Sequence, residues 1–115
     1  MITIYGIKNC DTMQKAFKWL AAENIAYTFH DYREAGIDKA TIEHWLKHVA
    51  MDKLLNTKST TYRSLTDSEK ASLTNPADAI ALMIQHPTLI KRPVWDFGNK
   101  KFFVGWKEDE LSELL

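Results

Sequence analysis

Cysteine is the scarcest informative residue in this chain: 115 residues contain one, Cys10. An internal disulfide is therefore impossible, a disulfide framework is excluded, and a reducing compartment, the cytoplasm, is the expected setting. Charge of one sign is also lacking, since 15 Lys and Arg balance 15 Asp and Glu. A net charge of zero gives no global field for nucleic acid or an anionic membrane. No apolar run approaches the roughly 20 residues that cross a bilayer, and no charged-then-apolar signal pattern opens the sequence. Nor is there a repeat, a linker or a low-complexity tract. We expect no membrane contact, no direct nucleic-acid contact and no need for more than a monomer.

What is present is ordinary for a globular chain, with 45% hydrophobic and 26% charged residues. The length suits one domain with one core and a small helical annex. Ile2 to Tyr5 alternates β-branched and aromatic residues and stops at Gly6, which predicts a strand and a turn. Met13, Ala16, Phe17 and Leu20 fall at i, i+3, i+4 and i+7, one face of a helix beginning near Asp11 and leaving at Asn24. Ile25 to Tyr32 predicts a second strand, and strand, helix, strand in this span is a βαβ unit with parallel strands.

The middle third is helical. Asp38 precedes Ile42, Trp45, Leu46 and Val49, the strongest helical period in the sequence. Thr66-Asp67-Ser68-Glu69 has capping-box spacing. Asn75-Pro76 is a cap followed by proline at the first helical position, leading into an expected inward face of Ala77, Ile80, Ala81 and Ile84. Leu55 to Leu65, polar and containing Ser59-Thr60-Thr61, reads as irregular or one short helical turn. After His86-Pro87, Val94–Asp96 and Lys101–Val104 read as strands joined by a tight turn at Phe97-Gly98-Asn99-Lys100. Lys107 to Leu115, with Leu111, Leu114 and Leu115, predicts a closing helix.

The resulting order is that of an α/β, thioredoxin-like fold with a four-stranded mixed sheet. Its core would comprise residues from about 1–34 and 87–115, with a helical insertion at about 35–86. In that order Cys10 sits between the first strand and the first helix. A lone cysteine by itself reads as a small, inert apolar residue. Thiols become reactive as thiolates, however, and a helix N-terminus or a nearby cation lowers their pKa. Cys10 has the helix start, whose free amides face an anion, and Lys8 two residues earlier, opposed by Asp11.

Several stretches together carry a family resemblance. Tyr5-Gly6-Ile7-Lys8-Asn9-Cys10-Asp11-Thr12, Phe29-His30-Asp31-Tyr32, Leu54 to Lys58 with Thr60-Thr61-Tyr62-Arg63, and Leu89-Ile90-Lys91-Arg92-Pro93 with Val104-Gly105 resemble the ArsC/Spx family. Within it the chain is most similar to the YffB-type branch, proposed to contain glutathione-dependent thiol reductases. On its own Arg92-Pro93 reads as an ordinary trans proline opening a strand. The resemblance instead implies a cis proline, Pro93, facing the cysteine, with Arg92 bringing a fixed charge and a bidentate donor.

The resemblance implies that Cys10 is the catalytic residue of a glutathione-dependent monothiol reductase. It would have no bound cofactor, glutathione as co-substrate, and an oxidised or glutathionylated thiol as substrate. Lys8, Asn9, Arg92 and Pro93 would bind substrate or glutathione, and Lys58 and Arg63 would add charge at the rim. The alternative is a non-enzymatic, Spx-like regulatory module whose partner is RNA polymerase or another protein. Arsenate reduction fits less well. That chemistry is expected to need three arginines, but Asn56 stands at the first position and Gly105 near the last. The residue three after Cys10 is Met13, so a Cys-x-x-Cys switch is also excluded.

Other motifs have simpler readings. His44 and His48 have the i, i+4 spacing of metal ligands but lack the glutamate of a zinc protease, so a solvated helix face is expected and no metal site. His30 is a candidate base for Cys10 or a structural hydrogen-bond partner. Trp45, Trp95 and Trp106 are expected in the core or along a groove wall, since no basic cluster surrounds them.

Overall fold

The computed structural model describes residues 2–98 and 100–114. Four strands, β1 (Ile2–Gly6), β2 (Tyr27–Asp31), β3 (Val94–Gly98) and β4 (Lys101–Val104), form one sheet in the order β2-β1-β3-β4. β1 and β2 are parallel, with Ile2 opposite Tyr27 and Gly6 opposite Asp31. β3 runs antiparallel to β1, Tyr5 facing Val94, and forms an antiparallel hairpin with β4. This mixed sheet, with α1 (Asp11–Ala22) crossing from β1 to β2, is the thioredoxin-like topology that the order of sequence signals predicts.

Residue contacts divide the chain into two compact units, residues 1–35 with 92–115, and residues 36–91. In the first unit the inward residues of β1 and α1 build the core: Ile2, Ile4, Met13, Ala16, Trp19 and Leu20 pack with Trp95 and with Leu111 of the last helix, α7 (Glu108–Leu114). Trp19 meets Trp95 edge-on, with ring centroids 5.8 Å apart. Such pairs contribute about 0.5–1.5 kcal/mol beyond their buried area. The Trp95 indole N–H donates to the Gly105 carbonyl at 2.9 Å, which satisfies the one polar group that this large side chain carries inside. Cys10 packs at the edge of this core.

The second unit holds α2 (Lys39–Leu46), α3 (Met51–Leu54), α4 (Thr60–Ser64), α5 (Asp67–Ser72) and α6 (Pro76–Gln85), followed by a 3-10 turn at Pro87–Leu89. Its starts are chemically marked. Asp38 accepts from the Thr41 amide, Thr66 and Glu69 form both halves of a capping box, and Asn75 accepts from the Ala77 and Asp78 amides. Leu55 bridges Ile90, and the Lys91 amide donates to the Leu54 carbonyl at 2.8 Å. These pairings hold Leu89, Ile90 and Lys91 in the helical unit.

The stretch read as irregular or one short helical turn holds such a turn, α4, and α3 just before it carries no readable period because it is four residues long. Two expectations need correction. On α6 the inward residues are Ala79, Ile80, Leu82 and Met83; Ala77 and Ala81 are exposed, and Ile84 is 38% exposed. The sequence PADAIALMIQ is apolar nearly all round, so two stripes fit the i, i+3, i+4 template, and the larger side chains took the inside. Finally, β2 begins at Tyr27, not Ile25, and ends at Asp31, leaving Tyr32 just beyond the strand. The hairpin turn has Gly98 and Lys100 at positive φ, as a tight turn requires, while Asn99 and Leu115 lie outside the described residues.

Candidate active site

β1 ends at Gly6, and the chain turns through Ile7, Lys8 and Asn9 to Cys10, the N-cap residue of α1. Its backbone is extended (φ −146°, ψ 130°), and its carbonyl accepts the first helical hydrogen bond, from the Gln14 amide at 3.0 Å. The Thr12 and Met13 amides have no carbonyl partner within the helix, as in any first turn. They do not reach capping geometry on the Cys10 side chain, yet both act on the sulfur. Aimed dipoles of this kind do little for a neutral thiol and much more for a thiolate.

The charge at the sulfur comes from the other end of the unit. Arg92 is half-buried, and its guanidinium is near enough to the Cys10 sulfur to favour the thiolate. Burial alone pushes the Cys10 thiol up. The Met13 amide, Arg92 and the Thr12 amide outweigh it, so its pKa lies below the ordinary cysteine value. The same balance acts on Arg92: burial disfavours its charge, and contact with Cys10 and Tyr32 more than restores it. The Arg92-Pro93 peptide bond is cis, Pro93 is buried, and the Pro93 carbonyl accepts from the Gly105 amide at 2.9 Å.

Tyr32, which sequence reasoning left as a strand end, belongs to this cluster. It is fully buried, and the Arg92 charge acts on its hydroxyl. Burial raises its pKa far above that of an ordinary phenol, against the opposing pull of Arg92, so it stays neutral. Its amide donates to the Gly6 carbonyl at 3.0 Å, which fixes it beside the end of β1. The sequence signal was faint: a tyrosine after a strand with no visible partner.

The other sequence-predicted residues have surroundings of their own. Lys8 is exposed and lines a concavity of about 360 Å³ with Phe29, His30, Asp31, Glu34 and Ala35. Asn9 is exposed. The His30 ring lies 5.2 Å from that of Tyr5, within the sheet. Lys58 and Arg63 are exposed residues of the second unit; the Lys58 amide donates to Asn56 Oδ1 at 3.2 Å, and Arg63 ends α4. His44 and His48 are exposed with rings 5.4 Å apart, and no group of three metal-ligating side chains occurs among the described residues. Trp45 and Trp95 are buried, and Trp106 packs against the core of the first unit. No helix among the described residues is long and apolar enough to cross a membrane.

Comparison with known proteins is consistent across the whole length. The ArsC family model matches residues 5–114. A Haemophilus influenzae protein is 44% identical over 112 residues, which is 97% of this chain and 96% of that one. The solved structure of the YffB protein is 42% identical and superposes with a TM-score of 0.92 over 98% of this chain and 97% of its own. The global transcriptional regulator Spx of Staphylococcus aureus is 29% identical over 118 residues, covering 100% of this chain and 87% of its own length.

Proposed function

The chain belongs to the ArsC family, and from that premise we propose that it is a glutathione-dependent monothiol reductase with Cys10 as its nucleophile. The observation that carries this reading is the Cys10–Arg92 pair at the start of α1, a thiol held toward its thiolate by a half-buried cation. In the first step the Cys10 thiolate attacks the glutathione sulfur of a mixed disulfide; the substrate thiolate leaves, and Cys10 becomes glutathionylated. In the second step a glutathione thiolate attacks the glutathione sulfur on Cys10. Oxidised glutathione leaves and the Cys10 thiolate returns. Two electrons pass from glutathione to the substrate disulfide, and the sequence holds no second cysteine to compete with the second step.

Charge balance favours an anionic thiol partner. With Cys10 ionised, Arg92 has its counter-charge; once Cys10 is capped, a half-buried guanidinium loses it. A carboxylate on the incoming peptide restores the pair, and the fork of Arg suits a carboxylate well. Lys8 and Asn9, on the loop into Cys10, are the next groups such a peptide would meet, with Pro93 shaping the groove. The reductase would act as a monomer in the reducing cytoplasm and need no bound cofactor.

Incubation with oxidised glutathione followed by intact-mass measurement tests the reading. One glutathione adduct is expected on the wild-type chain and none on Cys10→Ser; the absence of an adduct on the wild type overturns the mechanism. The full-length likeness to Spx regulators supports a second reading, a protein-binding module whose partner is RNA polymerase. That reading expects Cys10→Ser to leave partner capture unchanged, whereas the reductase reading expects the variant to lose reduction of a glutathionylated test protein.

A further inference from the structure

The loop that presents Cys10 has few ties of its own. Ile7 is buried at one end and Cys10 caps α1 at the other, but Lys8 and Asn9 between them are exposed. Among the described residues one hydrogen bond involves either of them: the Gln14 side-chain amide donates from Nε2 to the Lys8 carbonyl at 3.0 Å. A carbonyl only accepts, so the amide must turn its nitrogen inward. The backbone amide of the same residue donates to the Cys10 carbonyl, also at 3.0 Å. Gln14 therefore grips the chain on both sides of the cysteine. It is exposed, and an exposed glutamine gives up rotamer freedom to reach back six residues to a loop carbonyl.

We propose that Gln14 is a positioning residue: its side-chain hydrogen bond to the Lys8 carbonyl fixes the Lys8-Asn9-Cys10 loop against the start of α1 and so keeps the Cys10 sulfur beside the Thr12 and Met13 amides. The inference deepens the reductase reading and rests on its assignment of Cys10 as nucleophile. Gln14 acts through the loop backbone and needs no contact with disulfide or glutathione. The helix already holds the carbonyl side of Cys10, through the Gln14 amide, so the freedom left to the sulfur lies on the side of the loop that precedes it. That is the side the Gln14 side chain closes. Hydrogen bonds weaken steeply with misalignment, and aimed amides matter far more to a thiolate than to a thiol. A slack loop therefore costs the ionised form most. Arg92 and Tyr32, which interact with Cys10 from outside the loop, and its charged neighbours Lys8 and Asp11 all stay in place when Gln14 alone is changed.

The test is Gln14→Met, which keeps the length of an exposed helical side chain and deletes the donor. Alkylation of Cys10 by iodoacetamide is followed against pH, with no glutathione present. At pH 6 the variant is expected to react roughly two- to fivefold more slowly, the range set by the net contribution of one exposed hydrogen bond, and at pH 10, with the thiol ionised, at the wild-type rate. Gln14→Asn is the second variant: it keeps the amide but is one methylene too short to reach Lys8, and the same change in profile is expected. A wild-type pH profile in either variant, or a slowing that is equal at pH 6 and pH 10, overturns the proposal. Because the assay uses no thiol partner, a protein that forms no glutathione adduct defeats the reductase reading without touching this one.

Discussion

Gly6→Ala tests whether the end of β1 is built around the first turn of α1. A Cβ added at Gly6 would stand 2.5 Å from the Met13 sulfur and 2.8 Å from its terminal methyl, and Met13 is fully buried. Favourable non-bonded contacts lie at about 3.5–4.0 Å, so the thioether must retreat by roughly 1 Å. It must do so inside a core packed near crystal density, where the space it needs is already occupied. Overpacking of this kind costs about 1–3 kcal/mol, and the flexibility of methionine keeps the figure toward the lower end. For a chain of 115 residues this is a fall in Tm of about 4–12 °C. Urea unfolding gives the free energy, with an unchanged m-value expected if only packing has altered. The decisive comparison is the same substitution in a Met13→Ala background, where nothing meets the new Cβ. There Gly6→Ala should be neutral or stabilising, because alanine restricts the unfolded chain more than glycine does. A cost below about 0.5 kcal/mol in the wild type, or the same cost in both backgrounds, would refute the packing argument.

Two further outcomes follow from the structure. The lowered Cys10 pKa means that the folded state holds the thiolate better than the unfolded chain does. Its contribution to stability is full above the unfolded thiol pKa and is lost as pH falls through the folded one. Stability should therefore climb with pH more steeply in the wild type than in Cys10→Ser across that window, as read by urea midpoints, and parallel curves would contradict it. Asn75→Ala removes the side-chain acceptor of the Ala77 and Asp78 amides at the start of α6 and should cost about 1 kcal/mol in urea unfolding, with no change in Cys10 alkylation.

The parts of the fold that were legible in the sequence are those whose signals are local and repeated. β1, α1 and the hairpin announce themselves through alternation, a 3.6-residue period and turn residues, and Asp38, Thr66 and Asn75 mark three helix starts by cap chemistry alone. α3 has too few residues for a period, and α6 has too many apolar ones for a unique phase. The site divides in the same way. Cys10 at a helix start is a local pattern, and Lys8 looks like its natural cation for the same reason. The cation that acts on the sulfur is instead Arg92, brought from the far end of the chain by the pairing of β3 with β1, which sets Val94 opposite Tyr5. Tyr32 was illegible because a buried phenol is defined by its partner, and that partner is distant in sequence.

One cation for one thiolate also bears on which chemistry the site suits. A tetrahedral oxyanion spreads charge over several oxygens and calls for several donors, whereas a thiolate carries a single charge that a single guanidinium can match. At the other two positions where the resemblance would put arginines, the chain has put residues with backbone duties. Asn56 uses its side-chain oxygen on the Lys58 amide and its own amide on the Leu89 carbonyl. Gly105 has φ 101°, a conformation that side chains resist although no atom stands where its Cβ would go, and its amide and carbonyl are taken by Pro93 and Trp95. Replacing Gly105 by arginine would thus strain the backbone that closes β4 onto the cis-proline segment before it brought a second charge to the sulfur. The requirement for a glycine at that turn and the charge match at Cys10 support the proposed anionic thiol partner over an oxyanion.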